Sequence, residues 1–295
     1  MNRKILTATA TMFPAFLLAS CGGGSDGGMA STPAPVYKTL AELSGDQTFQ
    51  SGGIVGDPAG IELRSESTVA FGQGVEIKYF AASDTYNLNN GSGLVVEFTP
   101  AQVVNRNENT VTWQKPNGPV LDTLSISNPS VNGVKLSYVL LGNWTHIEPS
   151  NGRAYSLVGG VPTQAGDVPR SGSATYSTQV VGLAAKSGSP YLLFGESTGT
   201  FSANFASNSV STSLTLAGKL PGNNAVTAIG NYSGSGTISS SGPGFQGTLT
   251  GSNASGAFSG AFFGPRGAEA GYTFFLNGTT DSTLSVQGAL FAKKN

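Results

Sequence analysis

One short run decides the fold: GAFSGAFFGP, residues 256–265. Phe258, Gly260 and Phe262 share one face of an extended segment, because side chains two positions apart point the same way along a strand. Glycine between phenylalanines fits a strongly curved sheet, since large inward side chains on every strand would overfill a small barrel. The run therefore predicts a strand in the wall of a closed β-barrel.

The same residue pattern continues through the last part of the chain. Short stretches of small, aromatic and threonine residues recur at spacings of roughly 8–15 residues, with turn signals between them. They lie at Ala174–Tyr176, Phe201–Phe205, Val210–Leu216, Phe245–Leu249, Gly271–Phe275 and Leu284–Leu290. Together they predict an antiparallel barrel or sandwich, and a barrel would also remove exposed sheet edges in a chain with few charges.

The first half predicts strands as well. Polar and apolar residues alternate along Val75–Tyr79, Val111–Trp113 and Tyr155–Leu157, and the alternation along Val134–Leu140 predicts one continuous strand. None of these stretches has the apolar spacing of a long amphipathic helix, so we expect the whole mature chain to be all-β. The segment Gly166–Gly172 contains Pro169 and few apolar residues, and we place a domain boundary there.

The amino terminus predicts export. Arg3 and Lys4 precede an apolar stretch, Ile5–Leu18, which ends in Leu-Ala-Ser followed by Cys21. This ending resembles the bacterial lipobox, in which the cysteine receives a lipid and becomes the first residue of the mature protein. We therefore expect residues 1–20 to be a lipoprotein signal peptide, Cys21 to be lipidated, and residues 21–35, rich in Gly, Ser and Pro, to form a flexible tether.

Composition excludes several classes of protein. The chain has 295 residues, with 15 Lys and Arg against 16 Asp and Glu, so no basic field favours nucleic acid. Its one cysteine rules out an intrachain disulfide. After Leu18 no apolar run approaches the roughly 20 residues of a membrane-spanning helix. Stability must then come from apolar burial and strand pairing, and attachment to a membrane from the lipid.

Three motifs, in order, resemble the β-barrel domain of transferrin-binding protein B and its lipoprotein relatives. They are Gly172–Ser177, Gly256–Pro265 continuing to Glu269-Ala270-Gly271, and Gly288–Lys294. The resemblance implies an eight-stranded antiparallel β-barrel over residues 169–295. Position alone makes residues 36–168 similar to the β-rich handle-like domain that precedes such a barrel.

The resemblance also implies a function. Lipoproteins of this family are typically exposed on the surface of Gram-negative bacteria and bind host or nutrient proteins, including haem-containing ones. We therefore expect a lipid-anchored protein of the outer membrane, exposed at the cell surface, that binds a protein or cofactor ligand in iron or other nutrient acquisition. Its implied partners are a host or environmental protein, or a haem-bearing ligand, and a TonB-type receptor. Transferrin-binding protein B has two handle-plus-barrel lobes, whereas this chain has room for one.

Two other interpretations stay open at this point. The protein is also consistent with a structural envelope lipoprotein that captures no ligand. An integral outer-membrane pore is disfavoured, because its strands would be about ten residues long and would alternate apolar and polar residues. The strands predicted here are shorter, many alternating positions hold serine or threonine, and the chain ends in Lys293-Lys294-Asn295.

Trp113, Trp144 and Tyr155 are the candidate ligand-binding residues. Tryptophan and tyrosine dominate the energetic hot spots of protein interfaces, and each of these residues lies near a predicted turn. The alternative is that the two tryptophans fill the core of the handle-like domain.

Catalysis and metal binding lack support in the sequence. Gly195–Gly199 matches the G-x-S-x-G nucleophile elbow, but the only histidine, His146, precedes it and no helix pattern follows. We predict a β-hairpin turn there, and no enzyme. One histidine and one lipidated cysteine cannot supply a usual zinc site. Oxygen atoms of Asp84, Asn87, Asn89 and Asn90 could ligate calcium, but turn formation explains them more simply, and we predict neither a metal nor a cofactor.

Overall fold

Nearly all regular structure is extended strand in residues 35–60 and 62–295, the part of the chain that this computed structural model describes. These residues contain 22 strands and four 3-10 turns, at Leu40–Glu42, Pro100–Gln102, Ala165–Asp167 and Pro265–Gly267. The prediction of an all-β fold is confirmed. Over the same residues, no helix has the length and apolar character required to cross a membrane. The predicted signal peptide, Cys21 and nearly all of the predicted tether lie outside the described residues.

Two antiparallel sheets use residues 47–160. The first contains β1 (Gln47–Phe49), β4 (Glu76–Phe80), β5 (Thr85–Asn89) and β6 (Val95–Phe98), in the order β1-β4-β5-β6. The second contains β2 (Gly52–Ala59), β3 (Glu62–Val69), β7 (Val103–Arg106), β8 (Thr110–Asn117), β9 (Val120–Ser127), β12 (Val139–Ile147) and β13 (Gly152–Gly160). Its order is β3-β2-β13-β12-β9-β8-β7, and a separate hairpin joins β10 (Ser130–Val131) to β11 (Val134–Lys135).

These two sheets share one apolar core. Trp113, Leu124 and Trp144 lie side by side on β8, β9 and β12, because the strand register pairs each with the next. They belong to a buried cluster that also contains Val75, Ile77, Leu88, Val96 and Phe98 from the four-stranded sheet and the residue before it. The β-rich amino-terminal part of the predicted fold is thus a sandwich of two packed sheets.

Nine strands form the third sheet. They are β14 (Ser173–Lys186), β15 (Ser189–Leu192), β16 (Thr198–Asn204), β17 (Ser209–Lys219), β18 (Val226–Ile238), β19 (Gly244–Gly251), β20 (Ala254–Phe263), β21 (Glu269–Gly278) and β22 (Ser285–Lys294). Because β14 pairs with β22 from Tyr176↔Lys294 to Ala185↔Ser285, the sheet closes on itself. The short strands β15 and β16 both lie between β14 and β17, along different parts of them, and so share one position in the ring. The wall therefore has eight positions, and the prediction of an eight-stranded antiparallel barrel is confirmed.

Aromatic side chains fill the inside of this barrel. Phe201, Phe245, Phe262 and Tyr272 are each at most 2% exposed and belong to one large cluster. The Tyr272 hydroxyl lies 2.7 Å from the Thr212 hydroxyl, which joins β21 to β17 across the ring.

Glycines make room for these rings. A methyl group at Gly247 would overlap the ring of Phe258 and the backbone carbonyl of Ser235. The alternation of glycine with large apolar residues in these strands is therefore a packing requirement, as the sequence predicts.

One predicted strand is interrupted. The alternation along Val134–Leu140 predicts a single strand, but the structure ends β11 at Lys135 and starts β12 at Val139. Between them, the backbone N–H groups of Ser137 and Tyr138 donate to the two carboxylate oxygens of Glu269, each at 2.8 Å. Since these N–H groups bind a side chain of the barrel, they are unavailable to a neighbouring strand, and the prediction of a continuous strand is wrong.

Glu269 joins the sandwich to the barrel within a larger apolar contact. Its residue is 3% exposed, and burial raises the pKa of its carboxyl, although the N–H donors of Ser137 and Tyr138 oppose that rise. Around it, Val139 and Val158 of the sandwich cluster with apolar barrel residues, among them Phe263, Ala289 and Phe291. Residues 35–295 pack as one compact unit. The division into two domains at Gly166–Gly172 stays a prediction.

Replacing Glu269 with alanine should destabilise the protein by about 2–4 kcal/mol, because two N–H groups at the junction would lose their partner. Urea unfolding measured by tryptophan fluorescence reports the change. Glu108→Ala is the matched control: its side chain is exposed, and its loss should cost no more than about 0.5 kcal/mol. Equal stabilities for the two variants would contradict the role assigned to Glu269.

Candidate ligand-binding surface

The two predicted tryptophans lie in the sandwich core. Trp113 is 3% exposed and Trp144 is fully buried, so neither presents its indole to a ligand in solution. Tyr155 is partly buried and stacks on Trp144, with ring centroids 4.8 Å apart and an angle of 18° between the planes. Its hydroxyl accepts a hydrogen bond from the Asn90 side chain at 3.0 Å. A binding role for these three residues stays a prediction, and burial disfavours it for the tryptophans.

A buried carboxylate fixes the edge of this core. Asp122 is 4% exposed, and its Oδ1 accepts from Trp144 Nε1 at 3.1 Å and lies 2.8 Å from His146 Nδ1. The other imidazole nitrogen lies 3.3 Å from a carboxylate oxygen of Glu148. Burial opposes protonation of His146, but the hydrogen bonds and negative charges of Asp122 and Glu148 outweigh it and raise the pKa of the imidazole.

Charged residues on the adjacent strands extend this line of paired positions across the sheet, and we call the line the charged row. The strand register places Lys115 beside Asp122 and Arg153 beside His146. Arg153 in turn donates to Asp57 at 2.6 Å, at the exposed end of the row. The ionisable groups facing His146 are therefore Asp122, Glu148 and Arg153, with the first two favouring its positive charge. The hydrogen bonds of the charged row join β9 to β12 and β13 to β2.

The contribution of His146 to the free energy of unfolding should increase as the pH falls. Its raised pKa means that the folded state binds the proton more tightly, so the stabilisation is present below about 6.5 and is lost as pH rises through the folded pKa. His146→Gln should cost about 1–3 kcal/mol at pH 5.5 and less at pH 8.5, measured by urea unfolding. His146 is the only histidine, so its imidazole NMR signals give the titration directly. A cost that grows with pH would contradict this interpretation.

An exposed apolar surface lies at one end of the barrel. Phe194 is 72% exposed, Leu192 49% and Val226 54%. Leu192 and Val226 flank Lys219 directly, because β15, β17 and β18 pair Leu192 with Lys219 and Lys219 with Val226. Lys219 forms an ion pair with Glu196, which follows Phe194 in the same loop. We call Leu192, Phe194, Glu196, Lys219 and Val226 the rim patch.

A groove continues from the rim patch along the barrel. Leu183 pairs with Leu192 and forms part of the groove wall, together with Val181 and Ala289 of the barrel. Leu63 and Leu141 of the sandwich line it from the other side, and the groove has a volume of about 550 Å³. Tyr155 is also among its lining residues, the only one of the three predicted binding residues to be so. Patch and groove together offer an apolar surface bordered by polar groups.

Such an arrangement is suited to protein recognition. Exposing large apolar side chains to water is unfavourable in free energy, so a partner that covers them gains binding free energy. The Lys219–Glu196 ion pair lies within the patch and can orient a partner through charge. The sequence does not reveal this surface: the run Tyr191–Phe194 resembles a buried strand, and only its pairing shows that Leu193 points inward while Leu192 points outward.

The serine motif has a structural role. Ser197 is 4% exposed, donates to the carbonyl of Ala217 at 2.8 Å and accepts from the N–H of Ala217 at 3.1 Å. Its hydroxyl therefore bridges the break between β15 and β16 to β17, and the strand β16 follows it directly. A turn lies here, but β15 and β16 pair with β14 and β17 and not with each other, so the prediction of a β-hairpin is wrong. The residues after Ser197 form a strand and not the helix of a nucleophile elbow.

Three of the polar loop residues accept hydrogen bonds from groups nearby in the chain. Asn89 accepts from the N–H of Gly91, and Asn90 from those of Ser92 and Leu94, at 2.8–3.1 Å. Asp84 accepts from the Tyr79 hydroxyl. Within residues 35–60 and 62–295, no three His, Cys, Asp or Glu side chains are grouped so that they could hold a metal ion.

Comparison with known proteins identifies the barrel. Residues 168–294 match the family model described as "C-lobe and N-lobe beta barrels of Tf-binding protein B". This segment, which forms the nine-stranded sheet of the barrel, is similar to the barrels of that family. The family resemblance predicted from the three sequence motifs is thereby confirmed.

Solved structures of such proteins are similar to this chain at low identity. Transferrin-binding protein B (isotype 1) from serogroup B Neisseria meningitidis is 16% identical, with 86% of this chain and 44% of that chain covered and a TM-score of 0.43. A double mutant of the Haemophilus parasuis Hp5 protein is 15% identical, with 78% and 54% covered and a TM-score of 0.42. The N-lobe domain of lactoferrin-binding protein B of Moraxella bovis is 12% identical, with 83% and 99% covered and a TM-score of 0.36.

The chain spans about half the length of the first two of these proteins. No curated protein sequence matches it.

Proposed function

We propose that this protein captures a protein ligand at the rim patch and the adjoining groove, and that it serves iron or other nutrient acquisition. The observation that carries the proposal is the exposure of Phe194, Leu192 and Val226 together on a barrel of the transferrin-binding protein B type. Ligand capture by such a surface requires no catalytic group.

The position of the patch favours capture. Leu193 is fully buried and anchors the patch loop to the barrel core, so its neighbours Leu192 and Phe194 are held outward. Phe194 immediately precedes Gly195, whose φ of +80° turns the chain sharply back. An aromatic side chain held in this way loses little conformational freedom on binding, which favours affinity.

The proposal includes a lipid anchor at Cys21 on the outer membrane, with the sandwich and barrel exposed at the cell surface. The lipobox resemblance and the glycine-rich run after it support this part. A diacyl anchor with an additional N-acyl chain holds a protein more durably than one chain, which gives only marginal binding. Tethered protein could then meet ligands while staying attached to the cell.

The family description and the titles of the similar structures name transferrin and lactoferrin as ligands of those proteins. Iron-carrying and haem-bearing proteins are therefore the first ligand class to test, with a TonB-type receptor as the partner that would receive the iron or haem. Biolayer interferometry of the purified protein against transferrin, lactoferrin and haemoglobin tests the proposal. Saturable binding to one of them supports it, whereas failure to bind any protein of this class, with surface display intact, favours the structural envelope lipoprotein.

Phe194→Ser should weaken binding of the captured protein by at least about tenfold, because truncating an aromatic hot spot removes its buried contact. Leu192→Ser should act in the same direction. The matched control is Phe80→Ser, which alters a 39% exposed phenylalanine in the sandwich, away from the patch. Unfolding midpoints of all three variants establish that they fold. Equal affinities for Phe194→Ser and Phe80→Ser would place the binding surface elsewhere.

Replacing Cys21 with serine should release the protein from the membrane fraction, since serine cannot form the thioether that carries the lipid. Protease treatment of intact cells should degrade the wild-type protein and spare a periplasmic control. Retention of the Cys21→Ser protein in the membrane after carbonate extraction would contradict the proposed lipid anchor. Survival of the wild-type protein on protease-treated cells would contradict its exposure at the cell surface.

A further inference from the structure

A second groove lies at the other end of β18 from the rim patch. The patch contains Val226, where β18 begins, and this groove borders Ile238, where it ends. One wall is the β18–β19 hairpin, and the other comprises residues 70–71 and 162–165, with Gln50 beside them. Its volume is about 600 Å³, within the range of roughly 300–1,000 Å³ that is usual for small-molecule sites.

The lining of this groove mixes polar and apolar residues, and the lining residues themselves are uncharged. None of the described residues that line it is Asp, Glu, Lys, Arg or His. Three glutamines line it, on both walls: Gln50, Gln164 and Gln246, the last of which also donates to the Thr68 hydroxyl at 3.3 Å. Thr237 and Ser239 line the hairpin wall, and the Ser239 hydroxyl lies 3.1 Å from that of Ser241. Amides and hydroxyls both donate and accept hydrogen bonds, so they suit a ligand whose own groups do the same.

Apolar surface accompanies these groups. Phe71 is partly exposed and lines the groove, and its orientation is fixed by an edge-on contact with Phe263, at 5.7 Å and 88°. Pro162 and Pro243 add rigid C–H surface on the two walls. A partly exposed aromatic ring beside neutral hydrogen-bonding groups offers one ligand both an apolar face and polar edges.

Hydrogen bonds fix the two walls of the groove relative to each other. Arg170 donates from Nη2 to the carbonyls of Ala165 and Ser240, each at 3.3 Å, and so ties the two walls together. The N–H of Phe262 donates to the carbonyl of Pro243 at 3.0 Å, and that of Thr163 to the carbonyl of Phe262 at the same distance. A preformed groove requires less ordering when a ligand enters.

We propose that this groove binds a neutral saccharide. A sugar ring has an apolar C–H face that packs on an aromatic ring, and hydroxyl groups around its edge that pair with amides and hydroxyls. The described lining residues are uncharged, and the guanidinium of Arg170, which borders the groove, donates to two wall carbonyls. A metal ion would therefore find no carboxylate among the lining residues, and a phosphate or an acidic sugar would find no charged lining residue to offset its lost hydration.

A glycan array provides the first test. The purified protein is applied to neutral oligosaccharides ending in glucose, galactose, mannose or N-acetylglucosamine, and to sialylated and sulfated counterparts. Binding should be confined to neutral glycans and be insensitive to salt. Preference for the acidic glycans, with affinity falling as salt rises, would overturn the proposal, as would the absence of binding to any glycan at millimolar concentration.

Substitution then locates the site. Gln50→Ala combined with Gln246→Ala should weaken binding of the best neutral oligosaccharide at least tenfold, as measured by saturation-transfer NMR. Gln73→Ala is the matched control, because Gln73 is exposed nearby but does not line the groove, and it should change affinity less than twofold. Equal effects of the double variant and the control would overturn the assignment. Phe194→Ser should leave glycan binding intact, which separates this site from the rim patch.

Two sources could supply such a saccharide: a glycan on the captured protein or a polysaccharide of the cell's own envelope. Enzymatic deglycosylation of the captured protein should weaken its binding in the first case only. Purified envelope polysaccharide should compete with the array ligand in the second. Failure of both arms would contradict a saccharide function for the groove.

Discussion

Closure of the barrel is the constraint on which the rest of the structure depends. β14 pairs with β22 from Tyr176↔Lys294 to Ala185↔Ser285, so the last strand of the chain completes a ring that begins more than a hundred residues earlier. With one cysteine in the chain, no intrachain disulfide can hold that ring shut. Pairing and the filled interior must do so, because an open edge would leave its N–H and C=O groups without partners.

The sandwich depends on this ring in turn. Its contact with the barrel uses the outer faces of β20, β21 and β22, whose inner faces belong to the aromatic core. Strands buried on both faces cannot tolerate polar residues freely, and the carboxylate of Glu269 is accommodated only because two backbone N–H groups meet it. The same strands thus position both the core and the junction.

The sequence predicted the barrel because the residue pattern that indicates a barrel strand lies within each strand. Alternation along Val210–Leu216, and glycine between Phe258 and Phe262, each follow from one strand's two faces. What the patterns could not give depends on residues far apart in the chain. Glu269 interrupts a strand more than 130 residues before it, and Asp122 holds His146 and Trp144 across two strands.

The candidate binding residues show the same limit. A tryptophan suits a core and an interface equally well, and its spacing does not distinguish the two. The structure places both indoles in the core. It brings Leu192 and Val226 to either side of Lys219 because β17 pairs with β15, which is not its neighbour in sequence, as well as with β18. No pattern in a single stretch of sequence contains that information, so the surface was visible only after the register was known.

The second position of the barrel wall is made from two short strands, β15 and β16, separated by residues 193–197. At this position the ring is closed by the pairs that β15 and β16 make with β14 and β17, and none of those pairs includes residues 193–197. Leu193 and Ser197 anchor the two ends of this interval, so only residues 194–196 between them can change or lengthen at little cost in stability. An interval of this kind gives a lineage room to change what the protein recognises while leaving how it folds untouched.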